Sequence, residues 1–349
     1  MAAFNTTLLR DYYQRRNPTP VIGFFVGEYF PLHHYRAAAA LPAGCFTAGD
    51  VAAIDWAGDY ERLYALHSRC PGHLPFTASV FTGVPWMEAA LGCPVVADHH
   101  TGSCRALPAV TGDAWPALPA FDLDNPWVEL CLQMTRTLAE QSAGRFALGV
   151  TLMRGVADVL GAVLGLERLV YAMIDEPAWV HALAAQVADF WVAFARAQLD
   201  ALPPLEGGAG SLYGLWAPGR AIVLQEDNAA LLSPALYRTF IYPHDVAIAA
   251  AFEQCFFHLH PARYIPYRPL LDAPVAVIEL HLDRGGATAR DLLPIYREIM
   301  RAKPLLVWGD CSGEDLRVLR GELPAAGLAI VPVVASPDDA QALWAALLA

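Results

Sequence analysis

Three short segments carry side chains able to do chemistry together. Phe257-His258-Leu259-His260 ends an apolar run. Ile278-Glu279-Leu280-His281-Leu282-Asp283 ends the next, and Trp308-Gly309-Asp310-Cys311 the one after. Residues two apart on a strand point to the same side. His258 and His260 therefore share one face, as do Glu279, His281 and Asp283. Imidazoles, carboxylates and a thiol converging from adjacent strand ends are what a zinc site needs. The candidate metal ligands are His258, His260, Glu279, His281 and Cys311. The competing reading of the same residues is hydrogen-bonded core or substrate-contacting histidines, because no tight spacing such as HExxH is present.

Other polar groups also sit where apolar runs end. Glu28-Tyr29-Phe30-Pro31 and His33-His34-Tyr35-Arg36 follow the first run, and Gln225-Glu226-Asp227-Asn228 follows a later one. Glu28 and Asp227 are the candidate catalytic acids or bases. Tyr29, His33, Trp216 and Trp308 are candidate substrate contacts, the two tryptophans as aromatic walls of a pocket. Asp98-His99-His100 reads as a solvated loop, and Cys255, opening a strand, as a buried inert thiol.

The elements that would position these groups are short apolar strands alternating with longer helices. Strands are expected at 21–26, 76–81, 146–152, 211–216, 221–225, 255–260, 275–281, 305–308 and 328–334, bounded by Gly, Pro or charged residues. Pro177, preceded by Asp175 and Glu176, opens a helix that Pro203 and Pro204 stop near Leu202. Ser233 is an expected N-cap, with Pro234 in the first turn of a helix reaching about Phe252. Further helices are expected at 288–300 and 337–348. This alternation predicts a parallel sheet with helices outside it. The number of strands favours a closed barrel, with functional groups at the C-terminal strand ends. Residues 106–126 are Pro-rich and read as an excursion over the barrel mouth. Neither a GxGxxG after the first strand nor a P-loop is found, so nucleotide folds lose their usual signal.

Bulk properties fit one domain over residues 1–349, with 1–17 as an N-terminal extension. The 349 residues are 56% hydrophobic and only 17% charged, ample for a large core. A net charge of −12 argues against nucleic acid and anionic membrane as partners. Seven cysteines, an odd number without a CxxC, read as reduced thiols of a cytoplasmic protein. Residues 1–17 lack an apolar secretory core. The most apolar stretch, 156–174, is broken by Asp158, Glu167 and Arg168 and falls short of a membrane span.

Several segments resemble the uroporphyrinogen decarboxylase superfamily, which also contains zinc-dependent corrinoid and coenzyme M methyltransferases. They are Thr151-Leu152-Met153-Arg154-Gly155-Val156-Ala157-Asp158-Val159-Leu160 with Gly165 and Asp175-Glu176-Pro177, and Asp227 through Leu231-Leu232-Ser233-Pro234-Ala235-Leu236-Tyr237 to Pro243. Phe257-His258-Leu259-His260 completes the set. Individually these are loose; their order and spacing carry the likeness, over residue 18 to the end. It implies an α/β fold of the (β/α)8 TIM-barrel type, a site at its C-terminal mouth, and commonly a homodimer.

The departures from the family pattern matter as much. The decarboxylases hold substrate carboxylates with two arginines four residues apart after the first strand. Phe24 and Glu28 stand at those positions here, and Glu28 would repel a polyanion. Phe81-Thr82-Gly83-Val84 lacks the acid that family places after its second strand. The methyltransferases use His-x-Cys and a second Cys near the C-terminus. This chain has His258-x-His260 and, late in the chain, Val334-Ala335-Ser336-Pro337 without a thiol. The leading expectation is a zinc-dependent methyltransferase acting on a small molecule, with a corrinoid, carried by a partner protein, as methyl donor. The alternatives are a metal-free decarboxylase or lyase of the same superfamily, and a non-catalytic small-molecule or corrinoid-binding barrel.

Overall fold

The computed structural model describes residues 4–109 and 118–348. Its frame is a mixed α/β architecture around a mostly parallel eight-stranded sheet. Met153–Arg154, Ala221–Gln225, Gln254–Leu259, Val277–Leu280, Leu305–Gly309 and Leu328–Val334 lie side by side in that order. Val21–Ile22 and Phe25–Val26 then pair with the two halves of the last strand. Thr77–Ala78 and Ala147–Leu148 form a separate parallel pair. The pairing Phe257↔Ile278 and His258↔Glu279 sets the register of the site strands.

Strand parity sorts the core into two layers. Ile222, Leu224, Cys255, Phe257, Ile278 and Leu305 face the surrounding helices. Val223, Phe256, Val277, Leu306 and Ala329 face the other way, into a second apolar cluster with Leu8, Leu9 and Tyr12. His258 and Glu279 share parity with Phe256 and Val277, so they continue this inner face toward the strand ends. The N-terminal segment from Phe4 packs against this inner face. The helix Thr6–Tyr13, capped by Asn5, closes the inner cluster, with Tyr13 edge-on to Phe256 at 6.2 Å and Phe4 edge-on to Trp216 at 5.7 Å. Fully burying such a side chain stabilises by about 1.5–3 kcal/mol.

Helix boundaries follow local chemistry. Thr288 and Ser312 each form a capping box with the aspartate three residues on, starting Ala289–Ala302 and Gly313–Glu322. Pro177 starts Pro177–Ala201. That helix is long and apolar enough to cross a membrane by length and composition, yet half of its apolar window is buried against neighbouring helices.

Several sequence expectations are corrected. The expected strand 211–216 is absent but for Trp216: Gly208–Gly210 and Trp216–Pro218 form an antiparallel pair, with 211–215 between them. Between them the chain turns at Gly214 (φ +79°), with Leu215 N–H donating to Ser211 Oγ. Only glycine adopts that φ cheaply. The apolar stretch 156–174 is two helices, Val156–Leu164 and Leu166–Asp175, parted by Gly165 (φ +85°). The helix capped by Ser233 contains a π-helical stretch, Tyr237–Ile241, before Tyr242–Ala250. Asp98 ends a strand of a small antiparallel sheet rather than lying in a loop. Of the expected excursion 106–126, residues 110–117 lie outside the described residues. Phe121 beyond them packs on Phe190 and Phe194.

Candidate functional site

A cavity of about 790 Å³ opens at the C-terminal ends of the parallel strands. His258, His260, His281, Asp283 and Asp227 line one side of it. The parity argument thus places both histidines of the Gln254–Leu259 strand end, and the acids and imidazole of the next, on one face.

Each imidazole has its two nitrogens committed differently. His258 donates or accepts at Nδ1 with the fully buried Glu279, and its Nε2 lies 3.9 Å from Asp227 Oδ1. His260 bonds Asp283 through Nδ1 at 2.9 Å, and its Nε2 lies 3.8 Å from the same Asp227 oxygen. Two Nε2 atoms therefore approach one carboxylate oxygen while two other carboxylates hold the Nδ1 sides. If Glu279 and Asp283 accept from Nδ1–H, both Nε2 lone pairs face Asp227. His281 sits behind, with Nδ1 3.5 Å from Glu279 and Nε2 3.7 Å from Asp283. Its Nδ1 and Glu279 Oε1 are buried with no hydrogen-bond partner. Asp227–His258–His260, His258–Glu279–His281 and His260–His281–Asp283 each bring three donor atoms within 4.8 Å of one another.

Electrostatics follow from this interleaving. Burial works to lower the His260 pKa, but Asp283, Asp227 and Glu279 outweigh it and raise it to about 9. Burial works to raise Glu279 and Asp283, yet the adjoining imidazoles pull both below the usual carboxylate range. Aromatic rings enclose the cluster: Tyr213 stacks on His258 at 5.4 Å, and Trp308 lies 5.0 Å from His281.

The remaining sequence candidates divide. Tyr29 lines the cavity, edge-on to His281 at 5.9 Å with the Arg284 guanidinium over its ring at 5.3 Å. Trp308 and Glu28 also line it. His33 does not: it is exposed and bonds His99 O at 3.2 Å, while its neighbour His34 takes the cavity-facing place. One step along a short helix turns a side chain by about 100°. Trp216 belongs to the opposite end, packed on Phe4 and Arg10 with Nε1 donating to Leu205 O. Cys311 is buried in the helix-facing core and is absent from all three donor groups. Burial and the nearby Asp315 and Asp310 push its thiol far up, so no thiolate is offered.

Sequence reasoning missed Tyr213, hidden by the misread 211–216 strand, and Asp283's hold on His260. It also missed a second carboxyl cluster. Asp158 accepts from Asp227 N–H at 3.0 Å and Asn228 N–H at 2.6 Å. Glu226 accepts from Ala157 N–H at 3.0 Å, and Tyr237 donates to Asp245 at 2.8 Å. Burial, then the charge of Asp227, pushes Asp158 up to about 8. Burial likewise pushes Asp245 up to about 7 against the bonds it accepts. The only available sequence signal was Asp158 within an apolar helix.

No family model and no curated protein matches this chain. Among solved structures, a GH26 β-mannanase from Bacteroides ovatus aligns over 96% of this chain and 86% of its own, with 11% identity; at a TM-score of 0.40 it carries no argument. A methyltransferase from Methanosarcina mazei aligns over 98% of this chain and 97% of its own, with 14% identity and a TM-score of 0.62, a likeness of fold.

Proposed function

We propose that this chain is a (β/α)8 TIM-barrel enzyme of the uroporphyrinogen decarboxylase type. In this reading it holds a zinc ion at the mouth and transfers a methyl group on a small molecule. The observation that carries the proposal is the pair of imidazoles whose Nε2 atoms meet at Asp227 while Glu279 and Asp283 hold their Nδ1 sides. Carboxylate-held histidines are how proteins orient imidazole for a metal. The donor chemistry fits a divalent ion, and Asp227 faces the cavity where a ligand could join it. His258, His260 and Asp227 would be the ligands; Glu279, His281 and Asp283 would orient them. A bound zinc would supply Lewis-acid activation of a thiol or water.

This chain's own residues would do the rest. Tyr213 and Trp308 shield the imidazoles from water. Two neutral histidines and one carboxylate leave a divalent ion with net positive charge, unlike a thiolate-rich site. The centre would therefore suit an oxygen ligand at least as well as a thiol. The fold it shares with a methyltransferase supports group transfer as the reaction class. A corrinoid donor on a partner protein, a homodimer and a cytoplasmic setting belong to the same proposal.

One observation favours a second, metal-free lyase reading: Asp158, its pKa raised by burial, stands beside Asp227 at the cavity wall, two carboxyls of different surroundings in one place. Uroporphyrinogen itself is not the expected substrate in either case, because Phe24 and Glu28 line the cavity where arginines would be needed. Elemental analysis of protein purified without chelator tests the main reading. We expect about one zinc per chain, lost in His258→Ala. Zinc retained in that variant, or none in the wild type after supplementation, ends the metal reading and promotes the lyase.

A further inference from the structure

The parallel strands do not form a continuous ladder around the cavity. Phe25–Val26 pairs with Val333–Val334, and Thr77–Ala78 pairs with Ala147–Leu148. Among the described residues no strand pairing joins these two edges. Two histidine side chains stitch the seam instead. His73 accepts at Nδ1 from Ile22 N–H at 3.0 Å, and the His73 backbone N–H donates to Ile22 O at 2.8 Å. His67, at the end of the helix Ala57–His67, bonds Leu74 O at 3.1 Å. Above these stitches the wall has an opening, and the cavity enters it.

The lining residues show where it goes. Besides the His–Asp cluster, the same cavity touches Tyr60, Leu63 and His67 of that outer helix, with Phe24, Phe76 and Ala78 at the seam. Leu63, Tyr60 and Phe24 belong to the core layer between sheet and helices, not to the inner layer beneath the histidines. The space thus passes from the inner face, through the unpaired edge, into the helix-facing layer. Its polar groups are already committed to backbone there. Tyr60 donates to Ser79 O at 3.1 Å, Thr77 donates to Ser211 O at 2.7 Å, and His67 is held as above. Burial lowers the His67 pKa, so that ring is neutral at pH 7. What remains facing the space is hydrocarbon and ring surface.

We infer that the seam is a binding arm for an apolar chain, and that the ligand is amphiphilic. A linear aliphatic or aryl-aliphatic arm lies between Phe24 and Phe76 toward Leu63, and a polar head sits at the His258–His260–Asp227 end. The placing of the head rests on the metal reading; the arm does not. Apolar contact in the arm gives the missing ladder a purpose: width for the chain.

The experiment is displacement of the neutral fluorophore N-phenyl-1-naphthylamine by linear 1-alkanols of four to twelve carbons. It is run on chelator-treated and on zinc-loaded protein. Affinity is expected to rise about fourfold per methylene up to a cut-off length. Ala78→Leu, which narrows the seam, should move the cut-off to shorter chains. Leu63→Ala, which deepens the arm, should move it to longer ones. Opposite shifts cannot come from a general loss of folding. A flat series, or one cut-off in all three proteins, overturns the arm. Linear 1-alkanethiols test the head: they should bind the zinc-loaded protein more tightly than the chelator-treated protein. A length series that persists without any zinc effect keeps the arm and removes the metal-bound head.

Discussion

Glu279 and Asp283 sit among three imidazoles; Glu226 and Asp245 have none. Glu279, Glu226 and Asp245 are buried and Asp283 is half-buried, and the acidities of the two sets move in opposite directions. Around the histidines, positive charge outweighs desolvation, and the carboxyls stay ionised. In the second cluster desolvation wins, Asp158 and Asp245 rise to about 8 and about 7, and Glu226 rises well above its usual range. Burial alone therefore does not decide the charge of a carboxyl; its neighbours do. The first cluster turns the Nε2 atoms of His258 and His260 toward Asp227 at the cavity. In the second, Asp158 and Glu226 accept from backbone N–H groups and Asp245 from the Tyr237 hydroxyl, and through the Asp227 N–H Asp158 holds in place the one acid that the first cluster needs.

The comparison is most directly broken by removing the shared acid. Asp227→Asn and His260→Ala should each weaken zinc binding by roughly a thousandfold, measured by competition with a chelating dye. Asp158→Asn keeps one of the two backbone acceptors and should cost far less. Equal losses from all three would erase the distinction between the clusters.

Acidity offers the next largest effect. Below its pKa of about 9, His260 carries a proton that a metal must displace. Zinc affinity should fall up to about tenfold for each pH unit below that value, so roughly a hundredfold between pH 8 and pH 6. A pH-independent dissociation constant over that range would mean that His260 is not a ligand.

Glu279→Gln sharpens the role of the orienting acids. The amide preserves size but no longer stabilises a polarised imidazole, and affinity should drop about 10–100-fold. Loss of all metal would instead make Glu279 a direct ligand, as the sequence alone suggested.

The smallest effect concerns stability. A carboxyl whose folded pKa is raised contributes stability fully below its unfolded pKa and loses it as pH rises through the folded value. For Asp245 that window ends at about 7. Glu279 is the reverse case, losing its contribution as pH falls below the usual carboxylate range. Asp245→Asn should therefore shrink the drop in Tm between pH 5 and pH 8, by about 2–4 °C for each kcal/mol recovered. An enlarged drop, read by thermal denaturation, would contradict a neutral Asp245.

Much of this molecule follows from local rules that a sequence states directly. The alternation of two determines that His258 and His260 share a face, and that Glu279, His281 and Asp283 do too, because successive side chains on a strand must alternate. Caps such as Thr288 and Ser312, and Pro177 at a helix start, need only a few residues to act. What lies beyond that reach was decided by the tertiary structure. Trp216 and Trp308 look alike as strand-end tryptophans, yet one packs against the N-terminal helix and the other beside His281. Cys311 and His33 carry suitable atoms but point into the core or to solvent, since a turn can rotate a neighbour out of the site. Which nitrogen each carboxylate holds, and where the sheet is left unstitched, depends on contacts between residues from 21 to more than 50 positions apart. Those distances are closed only when the whole sheet assembles.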